Sequence, residues 1–215
     1  MKAIFDMDGT LTCSTSIWDG VSEAYIRSLG YPVPEDYKQR IQGKSFSGAM
    51  EYIIQLDGIT GLTADEMIAA QFEIVRKKYR AVPLKPSVQA YLEYLQQQGI
   101  EMAVATQSHD YMAAEILRSH GIERYFSHIV SAEAMGTHKS SPDVYLETAR
   151  RLGAAPGECV VFEDMLFALT TAHNAGFRTV GVADEKSLGD RTAICRITER
   201  YITDFAQLIP EPLPR

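Results

Sequence analysis

The chain has 215 residues, 46% hydrophobic and 23% charged, with a formal net charge of −7, which suits one large or two small globular domains and disfavours a nucleic-acid partner, whose phosphates call for a basic face. Three cysteines, Cys13, Cys159 and Cys195, lie far apart with no CxxC pair, which argues against a zinc ribbon or a disulfide framework and fits reduced thiols in the cytoplasm. No apolar run approaches the roughly 18 residues of a membrane span, and one lysine before a strand is no signal peptide, so a cytoplasmic protein with no membrane partner is expected.

The first element is a short apolar strand over residues 3–5. It ends in Asp6-Met7-Asp8-Gly9-Thr10. Residues i and i+2 of a strand share a face, so the spacing aims Asp6 and Asp8 at one place as the chain leaves the strand. Two close carboxylates repel, and a divalent cation with oxygen ligands relieves that repulsion; Mg²⁺ is the expected ion. A calcium loop is excluded, because the fifth and twelfth positions counted from Asp6 are Thr10 and Ile17.

Residues 13–82 break the strand rhythm. Ile17, Val21, Ala24, Tyr25 and Ser28 face one way, and Gly30, Pro32 and Pro34 end that helix. Met50, Ile53 and Ile54 mark another. Thr63-Ala64-Asp65-Glu66 reads as a capping box opening a long helix with Ile68, Phe72, Val75 and Tyr79 on its apolar stripe. The basic run Arg76-Lys77-Lys78-Tyr79-Arg80 suits the end of that helix. An all-helical insert is therefore expected, joined to the rest by linkers near 12–16 and 80–86.

From residue 83 the chain alternates. Apolar runs at 101–105, 128–130, 159–162 and 179–182 are mostly solid, as in parallel strands covered on both faces. Between and around them lie helices with faces at Val88–Leu92–Leu95, Met112–Ile116, Val144–Thr148 and Leu169–Ala172, closed by Gly99, Gly121, Gly153 and Gly176. The expected fold is a doubly wound parallel α/β core, residues 1–12 plus 83–215, with a small helical cap, 13–82, inserted after the first strand.

Ligands of such sheets sit beyond the carboxyl ends of the strands. Those ends carry Asp6 and Asp8, then Thr106, Gln107 and Ser108, then Lys139, then Glu163 and Asp164. A strand-end threonine is commonly a helix cap and a loop lysine is commonly solvated. Acids, a hydroxyl and a lysine in this order on one rim instead suggest phosphoryl transfer to a carboxylate nucleophile. Asp6 would attack phosphorus. Mg²⁺ would be held by Asp6, Glu163 and Asp164. Thr106, Gln107 and Lys139 would hold the transferring oxygens, and Asp8 would act as acid and base.

These residues resemble the haloacid dehalogenase superfamily, in its helical-cap branch close to β-phosphoglucomutase. Asp6-Met7-Asp8-Gly9-Thr10-Leu11 is similar to the first motif, Thr106 to the second, Lys139-Ser140-Ser141-Pro142-Asp143 to the third, and Val160-Val161-Phe162-Glu163-Asp164 to the fourth. The resemblance covers essentially the whole chain. It implies an Mg²⁺-dependent phosphatase with Asp6 as nucleophile, Asp8 as acid/base, the Asp8 backbone carbonyl as a further metal ligand, and a cap that closes over the substrate. Cys13, Met165 and Ala168 depart from the pattern, which expects Asp, Ser and Gly there. Mutases of this branch carry a cap histidine and a cap-loop arginine; the corresponding places hold Trp18 and Gly43-Lys44-Ser45-Phe46. A hydrolase of small phosphorylated metabolites, sugar phosphates among them, is the expected activity, with a mutase or a catalytically weak binding protein as the alternatives. Trp18 and Lys44 are the candidate specificity residues. Phosphonatase chemistry would need a desolvated cap lysine, and nothing marks Lys38, Lys44, Lys77 or Lys78 as one. A monomer or weak homodimer is the expected assembly.

Overall fold

The computed structural model describes residues 1–42, 44–79 and 81–210, with the backbone alone at Asp57 and Lys77. The cap-loop Gly43, the linker Arg80 and the Lys77 side chain of the basic run lie outside these residues. Six strands form one parallel sheet in the order β3-β2-β1-β4-β5-β6. They are β1 Lys2–Phe5, β2 Met102–Thr106, β3 Phe126–Ser131, β4 Cys159–Glu163, β5 Arg178–Val182 and β6 Arg200–Ile202. The first five coincide with the apolar runs read from the sequence, to within two residues at either end. β6 has no such signal: Arg-Tyr-Ile is short and edge-on, and only Ile202 is buried. It forms because β5 offers it an unpaired edge.

β1 lies between β2 and β4, with Phe5 opposite Val104 and Phe162. The strand order reverses there, so a crevice opens at the carboxyl end of β1. Alternation sends β1 side chains to both faces. Phe5 stacks on Phe162 at 4.4 Å in one cluster with Tyr91 and Phe205. Ile4 enters the opposite cluster with Val161 and Tyr145. Helices α5 Val88–Gln97, α6 Asp110–Ser119, α7 Asp143–Arg151, α8 Leu166–Asn174 and α9 Arg191–Ile197 complete this part. Buried Val88, Tyr91, Leu92 and Leu95 form one stripe of α5, which stops where Gly99 takes a φ of +70°.

Between β1 and α5 the chain runs through α1 Val21–Ser28, α2 Tyr37–Ile41, α3 Phe46–Asp57 and α4 Ala64–Tyr79. The capping box at α4 is reciprocal: the Thr63 N–H donates to Glu66 (2.8 Å) and the Glu66 N–H donates to Thr63 Oγ1 (3.2 Å). Met50, Ile53, Met67, Ile68 and Phe72 are buried within this helical part. The two connections run side by side. Thr12 bridges Leu84, the Cys13 N–H donates to Pro83 O (3.0 Å), and the Lys85 N–H donates to Leu11 O (2.9 Å). Among the described residues no helix is long and apolar enough to cross a membrane.

Candidate active site

The carboxyl ends of β1 and β4 bring Asp6, Glu163 and Asp164 together. One carboxylate oxygen from each lies within 4.8 Å of the others, and all three residues are buried. The tight turn after Asp6 makes room for this. Gly9 has a φ of +93°, and a Cβ on it would meet Asp164 Oδ2 at 2.6 Å. Only glycine therefore lets the backbone pass so close to that carboxylate. Thr10 donates weakly to Asp164 Oδ1 (3.4 Å).

Lys139 reaches the cluster from the loop after β3 and is 3% exposed. Its ammonium donates to Asp6 Oδ1 and to Glu163 Oε2, the latter at 2.7 Å. Glu163 is further held by the Tyr145 hydroxyl (3.2 Å) and by the N–H groups of Asp164 and Met165. Burial pushes its carboxyl up, but Lys139 outweighs that and holds it below the usual range. The other two acids go the opposite way. Burial, and then the Glu163 charge, raises Asp6 to about 8 despite Lys139. Burial, with Glu163 and Asp6, raises Asp164 well above an ordinary carboxyl. Three carboxylates against one ammonium leave the cluster two charges short of neutrality when all are ionised.

Two oxygens in the cluster, Asp6 Oδ2 and Asp164 Oδ2, are buried with no hydrogen-bond partner. Orphaned acceptors in a site with excess negative charge suit a divalent cation with oxygen ligands. The Glu163 carboxylate, expected as a full ligand, is already engaged by four donors, so its main work in this arrangement is to hold Lys139.

Asp8 is not among the three clustered acids. It accepts from the hydroxyls of Ser14, Tyr79 (2.7 Å) and Ser108 (3.2 Å). Tyr79, at the end of α4, accepts in turn from Trp18 Nε1. Burial raises the Asp8 carboxyl above its ordinary value, against the pull of these three donors. The Asp8 carboxylate is thus not part of the acidic cluster. Thr106 is buried at the end of β2 and its Oγ1 accepts the Ser108 N–H (3.0 Å). Gln107 faces the cavity, but both ends of its amide are used on the Lys139 loop. Its Oε1 accepts the Lys139 N–H (3.1 Å) and its Nε2 donates to Thr137 O (3.3 Å).

A cavity of about 450 Å³ opens beside Asp8, lined by residues of both the sheet and the helical part, Trp18 and Lys44 included. Trp18 packs edge-on against Phe46 at 5.4 Å and against Tyr79 at 6.0 Å. The Lys44 ammonium lies over the Tyr52 ring, 5.1 Å from its centroid. Four residues at this site escaped the sequence reading. Tyr79 and Tyr145 sit on helical apolar stripes, which signal burial but not where the hydroxyl goes; Ser14 carries no spacing signal. Glu133, in the loop after β3, accepts the N–H groups of Phe46 and Ser47 at the start of α3, each at 2.6 Å. That contact joins residues 86 and 87 positions apart, which no local pattern could signal.

A family model described as haloacid dehalogenase-like hydrolase matches residues 3–182. The chain is 29% identical to a phosphorylated carbohydrates phosphatase of Thermotoga maritima, over 89% of this chain and 88% of that protein. It is 26% identical to a beta-phosphoglucomutase of Bacillus subtilis, over 92% and 90%. Among solved structures, CbbY from Rhodobacter sphaeroides in complex with phosphate shares the fold, with a TM-score of 0.81, 22% identity and coverage of 97% and 96%. The chain belongs to the haloacid dehalogenase-like hydrolase family, and within it is a phosphatase.

Proposed function

We propose that the chain hydrolyses the phosphate monoesters of small metabolites with Mg²⁺, through a phosphorylated Asp6. The observation that carries this reading is the pair of unpartnered buried oxygens on Asp6 and Asp164, in a cluster that Lys139 alone does not neutralise. Asp6 and Asp164 would hold the ion through those oxygens, with Glu163 beside them. When bound, it would supply positive charge against the phosphate and against the acids around it. Asp6 needs that charge, because its carboxyl is raised to about 8 and only the ionised form is a nucleophile.

Asp6 attacks phosphorus and the ester oxygen departs. Asp8, whose carboxyl burial raises above its ordinary value, is the acid that gives a proton to the departing alkoxide. Water then attacks the phosphorylated Asp6, and Asp8, now ionised, takes that water's proton. Phosphate leaves and both carboxyls return to their starting states. Lys139 and Thr106 bind the transferring oxygens, with Lys139 moving from carboxylate to phosphate as charge develops there. Tyr79 and Trp18 belong to the helical part, so its closure over the site would set the Asp8 position at the moment water is excluded.

A mutase is disfavoured. The cap histidine and cap-loop arginine of the mutases are replaced by Trp18 and the Lys44 loop, and the N–H groups at the start of α3 are taken by Glu133. The three free cysteines support a reducing, cytoplasmic setting, and a monomer or weak homodimer is proposed. The test is turnover of p-nitrophenyl phosphate with and without Mg²⁺, and by Asp6→Asn. Wild-type activity should require the ion and the variant should have none; substantial turnover by Asp6→Asn refutes the nucleophile.

A further inference from the structure

The helical part meets the sheet part through contacts of unequal weight. Arg76 with Glu115 and Asp19 with Lys186 are ion pairs that water reaches, and exposed pairs hold two surfaces together only weakly. Glu133 differs. It is 6% exposed, stands in the loop after β3, and gives both carboxylate oxygens to the N–H groups of Phe46 and Ser47, each at 2.6 Å. The first N–H groups of a helix have no partner within it, and their partial positive charge favours an acid. Ser45 covers only the next one, from Gly48 (3.0 Å). A carboxylate offers an acceptor oxygen to each of two neighbouring N–H groups, whereas a side-chain amide of the same shape offers only one.

From that clamp a line of contacts runs round the cavity to Asp8. The Phe46 ring stands edge-on to Trp18 at 5.4 Å, the arrangement aromatic pairs favour. Trp18 Nε1 donates to the Tyr79 hydroxyl, which donates to Asp8 Oδ1 (2.7 Å). Of the three hydroxyls on Asp8, Ser108 follows β2 and Ser14 lies in the connection after β1, so Tyr79 is the one carried by a helix of the inserted part. We propose, resting on the phosphatase reading above, that Glu133 is a positioning residue for the acid and base Asp8. By fixing the start of α3 it seats Phe46 against Trp18, and so holds Tyr79 where its hydroxyl orients the Asp8 carboxyl toward the departing oxygen. Glu133 itself reaches the chemistry only through these packed contacts, and they exist only while the helical part lies against the sheet part.

The test sets phenethyl phosphate, whose alkoxide needs a proton to leave, against p-nitrophenyl phosphate, whose leaving group departs without one. The quantity read is kcat/KM, which reports only the steps up to that departure. Glu133→Gln keeps the side-chain shape and removes one acceptor. It should lower kcat/KM for the alkyl ester by about 10–10²-fold, the cost of a displaced catalytic group, and leave the nitrophenyl ester within about threefold of wild type. Tyr79→Phe should give the same selective loss, and the double variant should lose less than the product of the two. Phe46→Leu keeps both N–H groups and removes only the ring edge, so it should repeat the pattern even where Glu133→Gln does not fold. Trp18, the sole tryptophan, gives a readout independent of turnover: in Glu133→Gln and Phe46→Leu its emission should move to the red and its quenching by acrylamide should rise. Equal losses on the two esters, no loss on either, multiplicative losses in the double variant, or unchanged Trp18 emission and quenching each overturn the inference and leave the phosphatase reading intact. Wild-type protein inert towards both esters overturns the phosphatase reading instead, and the Trp18 emission then still decides whether the clamp reaches the cavity.

Discussion

Replacing Lys139 with methionine keeps most of the side-chain volume and removes only the charge and its hydrogen bonds. The ammonium it deletes is the partner of two carboxylates, Asp6 and Glu163, that are 5% and 1% exposed. Removing one member of a buried ion pair costs about 3–5 kcal/mol, because the other is left desolvated and uncompensated. Asp6 escapes part of this by taking up a proton, since its carboxyl is already raised to about 8 with Lys139 present. The expected loss at neutral pH is therefore near the lower end, about 3 kcal/mol. With a urea m-value of about 3 kcal/mol/M, that moves the unfolding midpoint down by about 1 M. The pH dependence fixes the cause. Without Lys139 both carboxyls have folded-state values above their unfolded ones, so the native state binds more protons and stability falls as pH rises. The gap to wild type should open as pH rises past 4.5, where Glu163 is ionised in wild type but held protonated in the variant, grow again above about 8, where wild-type Asp6 ionises and the variant's does not, and shrink in acid. Adding Asp6→Asn to Lys139→Met should cost less than the sum of the two changes, because the shared charge is already gone. Mg²⁺ should restore part of the midpoint. A loss under about 1 kcal/mol that does not grow with pH would mean that Lys139 is not the electrostatic counterweight described here.

Asp8→Asn should lower kcat by about 10²–10⁴-fold, the range of a lost general acid and base, and most for poor leaving groups. If only KM changes, the proton-transfer role is wrong. Gly9→Ala places a methyl group where Asp164 Oδ2 and Thr15 Cγ2 already lie, at 2.6 and 2.7 Å. It should weaken Mg²⁺ binding by about tenfold or more in a calorimetric titration, and unchanged affinity would show that Asp164 is not a ligand. His120 has a buried Nε2 without a partner, and burial lowers its pKa below the ordinary 6.5. The unfolded chain therefore protonates first as pH falls, so the stability contributed by His120 is present above 6.5 and lost below it. His120→Leu should flatten the fall in Tm between pH 7 and 5; an identical slope in both proteins refutes the assignment.

Five of the six strands were legible because a parallel strand buried on both faces must be a solid apolar run, and helices between such strands must carry a 3.6-residue stripe. The acidic motifs were legible for a related reason. In this architecture the strand ends converge whatever lies between them, so Asp6, Thr106, Lys139 and Asp164 could be assigned to one rim from their positions alone. β6 was not legible, since its three residues become a strand only because β5 has an open edge. Tyr79 is buried as its stripe implied, but the contact of its hydroxyl with Asp8 was not legible, for an equally physical reason. A tyrosine on an apolar stripe buries its ring in either case, and only its neighbours decide where the hydroxyl goes.

The amino-acid order by itself determined the sheet, the insertion of helices after its first strand, and the set of groups that share the rim at the strand ends, because these follow from local periodicity and from the geometry of strand ends. The tertiary structure alone decided that Glu163 steadies Lys139, that Asp8 answers to Tyr79 and Trp18, and that Glu133 closes the start of α3. Each of these is a contact between residues tens of positions apart, and hydrogen bonds of that kind depend on how two folded surfaces meet, which no stretch of sequence encodes on its own.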